Sequence, residues 1–457
     1  MPQDLVKAVR AAGVVGAGGA GFPTHVKLAA KVDTVIANGA ECDPLLQCDQ
    51  RLMESRAGEM VRGVRLAMEA TGATRGILAL KEEYGNACAA LRRAIGDRSD
   101  LSVLMMESRY PAGDEFVLVY EATGRLVPET GLPLNVGCLV QNVQTLFNIA
   151  RAAKGAAVTH RLLTVAGAVS RPVTLWAPLG TPIRDVLGWA GGVQPASWSE
   201  RTVDDYAVVI GGPMMGRVAK DLDEPVTKMI SGLLVFPRDN AVVRYMTRSQ
   251  KSWVRRGIST CDQCRDCTDL CPRYLIGHNL KPHEVMRAIN YGLARPADKV
   301  TAAVLCCECR LCEAYACPLE LSPMAYYVSI KRELRAQGWV NDVHKRSEFD
   351  PHPMREYRLV PTHRLVARLG LVEWEHQSCP LDETDYRPKR VSISLQQHIG
   401  APAQAVVSSG QRVSVGDLIG QIPQDALGAN VHASIAGRVS RVVDGTTVEI
   451  EAGGSDE

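Results

Sequence analysis

Apolar and polar positions along the first 155 residues predict helices and strands in turn. Asp4 to Ala12 has helical periodicity, and further helices are predicted over Thr24 to Lys31, Ser55 to Thr71 and Asn86 to Ile95. Between them lie short apolar runs at Asp33 to Ile36, Gly76 to Leu80 and Leu101 to Met106, and another helix opens in Val140 to Thr145. Strands separated by helical segments predict a mostly parallel, Rossmann-like α/β domain. From Thr159 to Pro237 the runs are short, β-rich and broken by Gly and Pro, as at Gly191-Gly192 and Gly211-Gly212-Pro213, which predicts a small β-grasp-like module. Lys281 to Gly292 reads as a helix, with Val285, Met286 and Ile289 on one face. Val391 to Glu451 alternates apolar and polar residues with glycines at turn positions, a separate β-rich domain. The stretch from Phe349 to Pro388 is rich in charge, Pro and His and reads as an irregular linker, with His344, His352, His363 and His376 expected at the surface. The expected boundaries are 1–155, 156–240, 241–345, a linker over 346–388, and 389–457.

At 457 residues the chain is too long for one ordinary core. Hydrophobic residues at 46% and charged residues at 22% are globular values. A net charge of +2 argues against nucleic acid as a primary partner. No window approaches 18 uninterrupted apolar residues, and Met1 to Arg10 lacks the apolar core of a signal peptide. The expectation is a protein with no membrane span, located in the cytoplasm.

Cysteine changes the picture, because 10 of the 14 lie after residue 260. One block is Cys261-x2-Cys264-x2-Cys267-x3-Cys271-Pro272, and the other is Cys306-x2-Cys309-x2-Cys312-x4-Cys317-Pro318, with Cys307 beside its first member. Three thiolates two residues apart can wrap one cubane, with a fourth Cys before Pro where the chain turns away. Tetrahedral Zn(II) also takes four thiolates, but its sites usually use two pairs with a long spacer. The repeated run favours two [4Fe–4S] clusters. In two-cluster ferredoxins the fourth Cys of each run serves the other cluster. On that rule Cys261, Cys264, Cys267 and Cys317 hold one, and Cys306, Cys309, Cys312 and Cys271 the other. Cys307 falls outside the register and is read as a bystander.

Near the start, Gly13 to Gly21 reads GVVGAGGAG. Gly16, Gly18 and Gly21 satisfy G-x-G-x-x-G, but a helical segment precedes them where a dinucleotide fingerprint requires a strand. A flexible loop whose backbone N–H groups approach a phosphate or a flat ring is the better physical reading, with a plain glycine turn as the alternative. The Asp33 to Ile36 strand runs on into Asn38-Gly39-Ala40-Glu41-Cys42-Asp43-Pro44, so polar groups gather at its C-terminal end, where open α/β sheets bind ligands.

Gly16-Ala17-Gly18-Gly19-Ala20-Gly21-Phe22-Pro23-Thr24, with Lys27 downstream, resembles the FMN-binding loop of the flavoprotein subunit of respiratory complex I. The segments Asn38 to Pro44, Gly113-Asp114-Glu115 and Gln141-Asn142 to Thr145 follow in that family's order, and the NGAECDP form is closer to its RnfC branch. The resemblance implies that Gly16, Gly18, Gly19, Gly21, Phe22, Lys27, Asn38, Glu41, Asp43, Gly113, Asp114, Glu115, Gln141, Asn142 and Thr145 contact the cofactors FMN and NADH. It places Lys27 near the phosphate and Phe22 near the nicotinamide of NADH, the implied electron donor. Ala40 stands where complex I flavoproteins carry an acid. Residues 156–240 resemble an SLBB domain, and the last domain resembles the barrel-sandwich hybrid of biotinyl and lipoyl carriers. No Lys follows Lys389, so that domain cannot carry a biotinyl or lipoyl arm.

RnfC proteins place a sandwich domain before the flavin domain, whereas here it comes last. That order resembles the PduS-type cobalamin reductases of propanediol-utilising bacterial microcompartments. The resemblance implies a corrinoid whose cobalt is reduced for a B12-dependent diol dehydratase, with a location inside a microcompartment. Microcompartment enzymes, shell proteins and an adenosyltransferase are the implied partners. A flavin takes electrons in pairs and releases them singly, so a flavin followed by cubanes suits this order of parts on chemical grounds too. Two other readings stand beside it: an RnfC-like electron-input subunit serving a protein or quinone acceptor, and a scaffold with structural clusters. The sequence has no Asp-x-His-x-x-Gly cobalt-ligating motif.

Overall fold

The computed structural model describes residues 2–195, 200–292 and 297–453; the expected domain end at 457 lies outside them. Helix α1 (Pro2–Ala11) leads into a hairpin in which Val15 bridges Pro23 and the Gly16 N–H donates to the Phe22 carbonyl at 2.9 Å. Helix α2 (Thr24–Leu28) is shorter than its apolar pattern predicts, because the chain must turn down to the sheet, where Val32 N–H bonds the Thr71 carbonyl. Then come β1 (Thr34–Gly39), α3 (Cys48–Ser55), α4 (Ala57–Thr71), β2 (Arg75–Lys81), α5 (Gly85–Ile95), β3 (Leu101–Met106), β4 (Arg109–Tyr110), α6 (Glu115–Thr123), β5 (Cys138–Asn142) and α7 (Val143–Ala152). The sheet order is β3-β2-β1-β5, all parallel. The chain leaves β1 toward β2 on one side and returns as β5 on the other. Strand order therefore reverses at β1/β5, and a crevice opens at their C-terminal ends. In register there, Ala37 faces Gln141 and Asn38 faces Asn142.

The second domain has β6 (His160–Gly167), β7 (Val173–Pro178), α8 (Ile183–Trp189), β8 (Tyr206–Ile210), β9 (Arg217–Val218) and β10 (Gly232–Pro237). Its mixed sheet packs Leu163, Val165, Leu175, Val208 and Val235 under Ile183, Val186 and Leu187 of α8, the β-grasp arrangement. The third domain is helical: α9 (Ala241–Met246), α10 (Gln250–Thr260), α11 (Asp266–Asp269), α12 (Pro272–Leu275), α13 (Pro282–Asn290), α14 (Ala297–Thr301) and α15 (Pro323–Ala336).

The stretch expected to be an irregular linker is a packed strap. It holds α16 (Arg355–Arg358), β11 (Val360–Pro361), α17 (Thr362–Arg368) and β12 (Leu381–Asp382). β11 pairs with β4 of the first domain, and β12 adds an edge strand beside β7 of the second. Leu365, Val366, Leu369, Leu371 and Cys379 are buried, and Trp374 packs on Phe236 with ring centroids 5.2 Å apart. His344 is buried too, contrary to expectation, because its Nε2 pairs with the Thr301 hydroxyl at 2.9 Å.

The last domain stacks two small sheets from β13 (Arg390–Ser394), β14 (Gln404–Ala405), β15 (Arg412–Val413), β16 (Leu418–Gln421), β17 (Val431–His432), β18 (Gly437–Val443) and β19 (Thr447–Ala452). Val391, Ile393, Ile419, Val431, Val439, Val448 and Ile450 fill the space between them. Among the described residues no helix is long and apolar enough to cross a membrane.

Candidate functional site: a glycine hairpin and two cysteine sets

The hairpin stands over the β1/β5 crevice. Its Ala17 N–H donates to Thr145 Oγ1 at 2.9 Å, and Gly18 is pressed so close to Asn142 that a Cβ there would lie 2.9 Å from Nδ2. Gly18 and Gly19 are exposed and nothing lies within 4 Å of where a Gly19 Cβ would be, so the backbone at the tip is open to a ligand. Lys27 reaches toward the end of β5, with Nζ 3.5 Å from the Val140 carbonyl, and Phe22 is half-buried at the hairpin's end. Asn38 Nδ2 donates to the Gly113 carbonyl at 2.9 Å, and the Gly113 N–H donates to Cys42 Sγ. A side chain at Gly113 would strike both Cys42 and Asn38.

Several buried polar atoms around this crevice have no partner in the protein: Thr24 Oγ1, Gln141 Nε2, both amide atoms of Gln144, and Asp49 Oδ1. Each such orphan costs about 1–3 kcal/mol. A polar ligand with phosphate, hydroxyl and ring heteroatoms would satisfy them, so these residues fit FMN.

The acidic candidates are more committed than the sequence suggests. Glu41 turns inward, accepting from the Cys48 thiol at 3.0 Å and from the Asp49 and Gln50 N–H groups at the start of α3. Burial raises its pKa. Burial and the neighbouring Glu41 push Asp49 up to about 7, and Asp49 holds the Asn142 amide at 2.6 Å. Asp43 accepts from Met214 and Met215 N–H in the second domain, at 2.7 and 3.3 Å, and burial pushes it up to about 6. Asp114 caps α6 through Phe116 and Val117 N–H, while its other oxygen pairs with Arg273 at 2.9 Å. Glu115 opens α6 and adds its charge to that of Asp114 around Arg273. The hairpin thus meets Asn142 and Thr145, with Asn38 in register beside Asn142 and Gln141 next to it on β5, while Asp43 and Asp114 make contacts between domains. Asp49, Thr24 and Gln144 belong to the crevice as well. Thr24 and Gln144 come with the Gly16 to Thr24 and Gln141 to Thr145 segments, on α2 and α7, whereas Asp49 arrives on α3, outside every motif.

The eight cysteines of the two runs form two crossed sets. Burial is the first cause raising the Cys267 thiol, followed by the sulfurs of Cys317, Cys264 and Cys261 and then of Cys271 in the other set. Cys312 is raised by burial and then by Cys306, Cys267 and Cys271. Cys317 shares an apolar cluster with Cys261, whereas Cys271 shares another with Cys306. A small cavity is lined by Cys271, Cys306, Cys307, Cys309, Cys312 and Tyr327, among others. Several deprotonated cysteines can share so small a buried region only with a cation to offset their charge.

Local backbone explains the sets. In the first loop Gln263 and Arg265 have φ of 62° and 75°, and in the second Glu308 and Arg310 have 60° and 65°. Left-handed non-glycine residues at matching positions turn successive N–H groups inward, a nest for an anionic cluster. Glu308 N–H donates to Cys306 Sγ at 3.3 Å and Leu321 N–H to Cys317 Sγ at 3.4 Å. The extra residue of the second run is absorbed by a π-turn over Cys312–Ala316, where the first run has the ordinary turn of α11. Cys307 lies against Cys309 and Arg273. Tyr327, with a buried hydroxyl lacking a partner, faces Cys312, Cys306, Cys271 and Cys267 and so stands between the sets. These donors, together with that unmet hydroxyl, fit iron–sulfur clusters.

The sets differ in placement. The Cys271 set abuts the first domain: Tyr110 OH donates to the Cys309 carbonyl at 2.7 Å, and Arg273, beside Cys271, stacks 3.6 Å from the Phe116 ring centroid. In the other set Cys264 is exposed, with Cys261 and Cys267 half-buried.

Known families match in the same chain order. The Nuo51 FMN-binding domain matches residues 9–151, the SLBB domain 162–218, the 4Fe-4S dicluster domain 260–322, and the RnfC Barrel sandwich hybrid domain 376–452. Cobalamin reductase PduS of Citrobacter freundii is 47% identical over 446 residues, covering 97% of this chain and 95% of that protein. The chain belongs to the PduS cobalamin reductase family. Cobalamin reductase PduS of Salmonella typhimurium is likewise 47% identical, over 444 residues, covering 96% of this chain and 95% of the relative. Among solved structures, an NAD+-reducing [NiFe]-hydrogenase in its H2-reduced state shares 24% identity at a TM-score of 0.47, covering 75% of this chain. The chain spans 64% of that hydrogenase chain, a likeness too weak to bear on function. Family and matched domains make the protein an electron-transfer oxidoreductase with the expected multidomain architecture: an FMN-binding α/β domain, an SLBB domain, a 4Fe-4S domain and a barrel-sandwich hybrid.

Proposed function

We propose that the protein carries electrons from NADH to the cobalt of a corrinoid, restoring a B12-dependent diol dehydratase inside a bacterial microcompartment. FMN bound at the hairpin would take a hydride from NADH and release electrons singly, and two [4Fe–4S] clusters would pass them on one at a time. Gly16 to Gly21, Lys27, Asn38, Gln141, Asn142 and Thr145 hold the flavin on this reading, with Phe22 beside the nicotinamide. Cys271, Cys306, Cys309 and Cys312 hold the inner cluster, and Cys261, Cys264, Cys267 and Cys317 the outer one.

The observation that carries the reading is the contrast between the sets. Cys271, Cys309 and Cys312 are buried and Cys306 is half-buried, on the side joined to the flavin domain by the Arg273–Asp114 ion pair, whereas Cys264 is exposed. The inner set faces the donor side and the outer set the acceptor. A protein acceptor, as in an electron-input subunit, is favoured by one feature: exposed Ile258 lines a surface groove with Arg255 on α10, the helix that ends just before Cys261.

The test is anaerobic reconstitution of the full chain with iron, sulfide and FMN. NADH is then added with cob(III)alamin or an artificial dye. Reduction of cobalt is expected, and Cys264→Ala should abolish it while leaving NADH reduction of bound FMN intact. Dye reduction without cobalt reduction would favour the subunit reading, and no NADH oxidation would favour the scaffold.

A further inference from the structure

Three domains meet at the glycine hairpin, and one buried cation sits where they join. Lys228 lies between β9 and β10 and is only 3% exposed. Its Nζ donates to the Gly13 carbonyl at 2.7 Å and to the Asn430 carbonyl at 2.9 Å, tying the hairpin's foot to the sandwich domain. Its own N–H donates to Gln397 Oε1 at 2.9 Å. The next residue, Met229, reaches the hairpin's other end. Gly21 has φ +72°, and a Cβ there would lie 2.7 Å from Met229 Sδ and 3.2 Å from the Gln397 carbonyl. Ile399 N–H closes the clasp on the Gly21 carbonyl at 3.2 Å. Residues 228–229 of the second domain and Gln397, Ile399 and Asn430 of the last therefore grip both ends of a loop that belongs to the first.

The charge of Lys228 is unbalanced. Burying an ammonium without a counter-ion is costly. Burial alone drives its pKa down to about 7, with no carboxylate acting in the other direction. The titratable groups facing it are His398 and His432, both lowered first by burial and further by the Lys228 charge, His432 to about 4. Two more basic groups stand near the hairpin, Lys27 on α2 and Arg10 on α1, whose guanidinium bonds the Gln424 carbonyl, while the acidic Asp49 lies across the crevice, bound to the Asn142 amide. His25 between Arg10 and Lys27 is lowered by burial and then by Arg10.

We propose that Lys228 is a positioning residue for a flavin phosphate, fixing the hairpin to the sandwich domain and supplying a positive charge that the phosphate monoester balances. The proposal rests on the hairpin being the FMN site. It gives the C-terminal sandwich, which has no lysine for a swinging arm, the work of holding the flavin loop. The ligand class it selects is a phosphorylated flavin over riboflavin.

The test strips FMN from the full chain and follows the quenching of flavin fluorescence as FMN or riboflavin is added back. Lys228→Met should weaken FMN at least tenfold while changing riboflavin less than threefold, and Lys228→Arg, which keeps the charge, should retain the wild-type preference. Lys228→Gln serves the same comparison if the methionine variant fails to keep its cluster absorbance. FMN affinity within twofold of wild type in the neutral variants would overturn the proposal, as would an equal loss for riboflavin. A wild-type protein that binds neither flavin would instead reject the hairpin as the FMN site.

Discussion

Arg273 joins the cluster domain to the flavin domain through one buried charge, so replacing it should uncouple them. In Arg273→Met the Asp114 carboxylate loses its partner at a place where both side chains are 8% exposed. Breaking a buried pair from one side costs about 3–5 kcal/mol. Loss of the guanidinium over Phe116, 3.6 Å from the ring centroid, adds up to about 2 kcal/mol. Opening the interface would hydrate Asp114 and cap that cost, which is why separation of the domains is the expected outcome. At roughly 2–4 °C per kcal/mol for a unit of this size, even the lower figure lowers the melting midpoint by about 6 °C. Stopped-flow absorbance should show FMN reduction by NADH within twofold of wild type and cluster reduction slowed at least tenfold. Adding Asp114→Asn removes the stranded charge and should recover half or more of the lost midpoint. A midpoint within 2 °C of wild type, with cluster reduction at the normal rate, would refute the coupling role.

The remaining predictions concern the cysteine sets and one titrating contact. Cys306→Ser should lower bound iron by about half, while Cys307→Ser should leave iron and acid-labile sulfide unchanged; equal losses would make Cys307 a ligand. Tyr327→Phe removes a donor between the two sets, so redox titration should find at least one cluster potential shifted downward, and unchanged potentials would show that the hydroxyl bonds neither cluster. Asp43, raised by burial from 3.8 to about 6, binds its proton more tightly folded than unfolded. Its contribution to stability is full below about pH 4 and is lost as the pH rises through about 6, a change of order 3 kcal/mol at most. Melting midpoints of Asp43→Asn should therefore gain on wild type between pH 4 and 7, and a pH-independent difference would contradict the buried placement.

Much of the architecture was legible because its signals are local. The strand predicted at Leu101 to Met106 is β3 with the same bounds, and the cysteine runs are grouped by spacing that any fold must respect. What escaped is set by distant partners. Asp43 and Asp114 stand in motifs that resemble flavin contacts, yet their oxygens meet Met214 N–H and Arg273, well over a hundred residues away. The strap's polarity hid Leu365, Val366 and Trp374, whose burial depends on Phe236 and Val242. Two-residue strands such as β11 and β12 carry no periodicity to detect. The extra residue after Cys312 was visible, but not that a π-turn would absorb it.

The most direct measurement is freeze-quench electron paramagnetic resonance after mixing the reconstituted protein with NADH and cob(III)alamin. Reduced-cluster signals are predicted to appear before Co(II), and Cys264→Ala should suppress the Co(II) signal while FMN is still reduced. Co(II) forming in that variant at the wild-type rate would contradict delivery through the outer cysteine set.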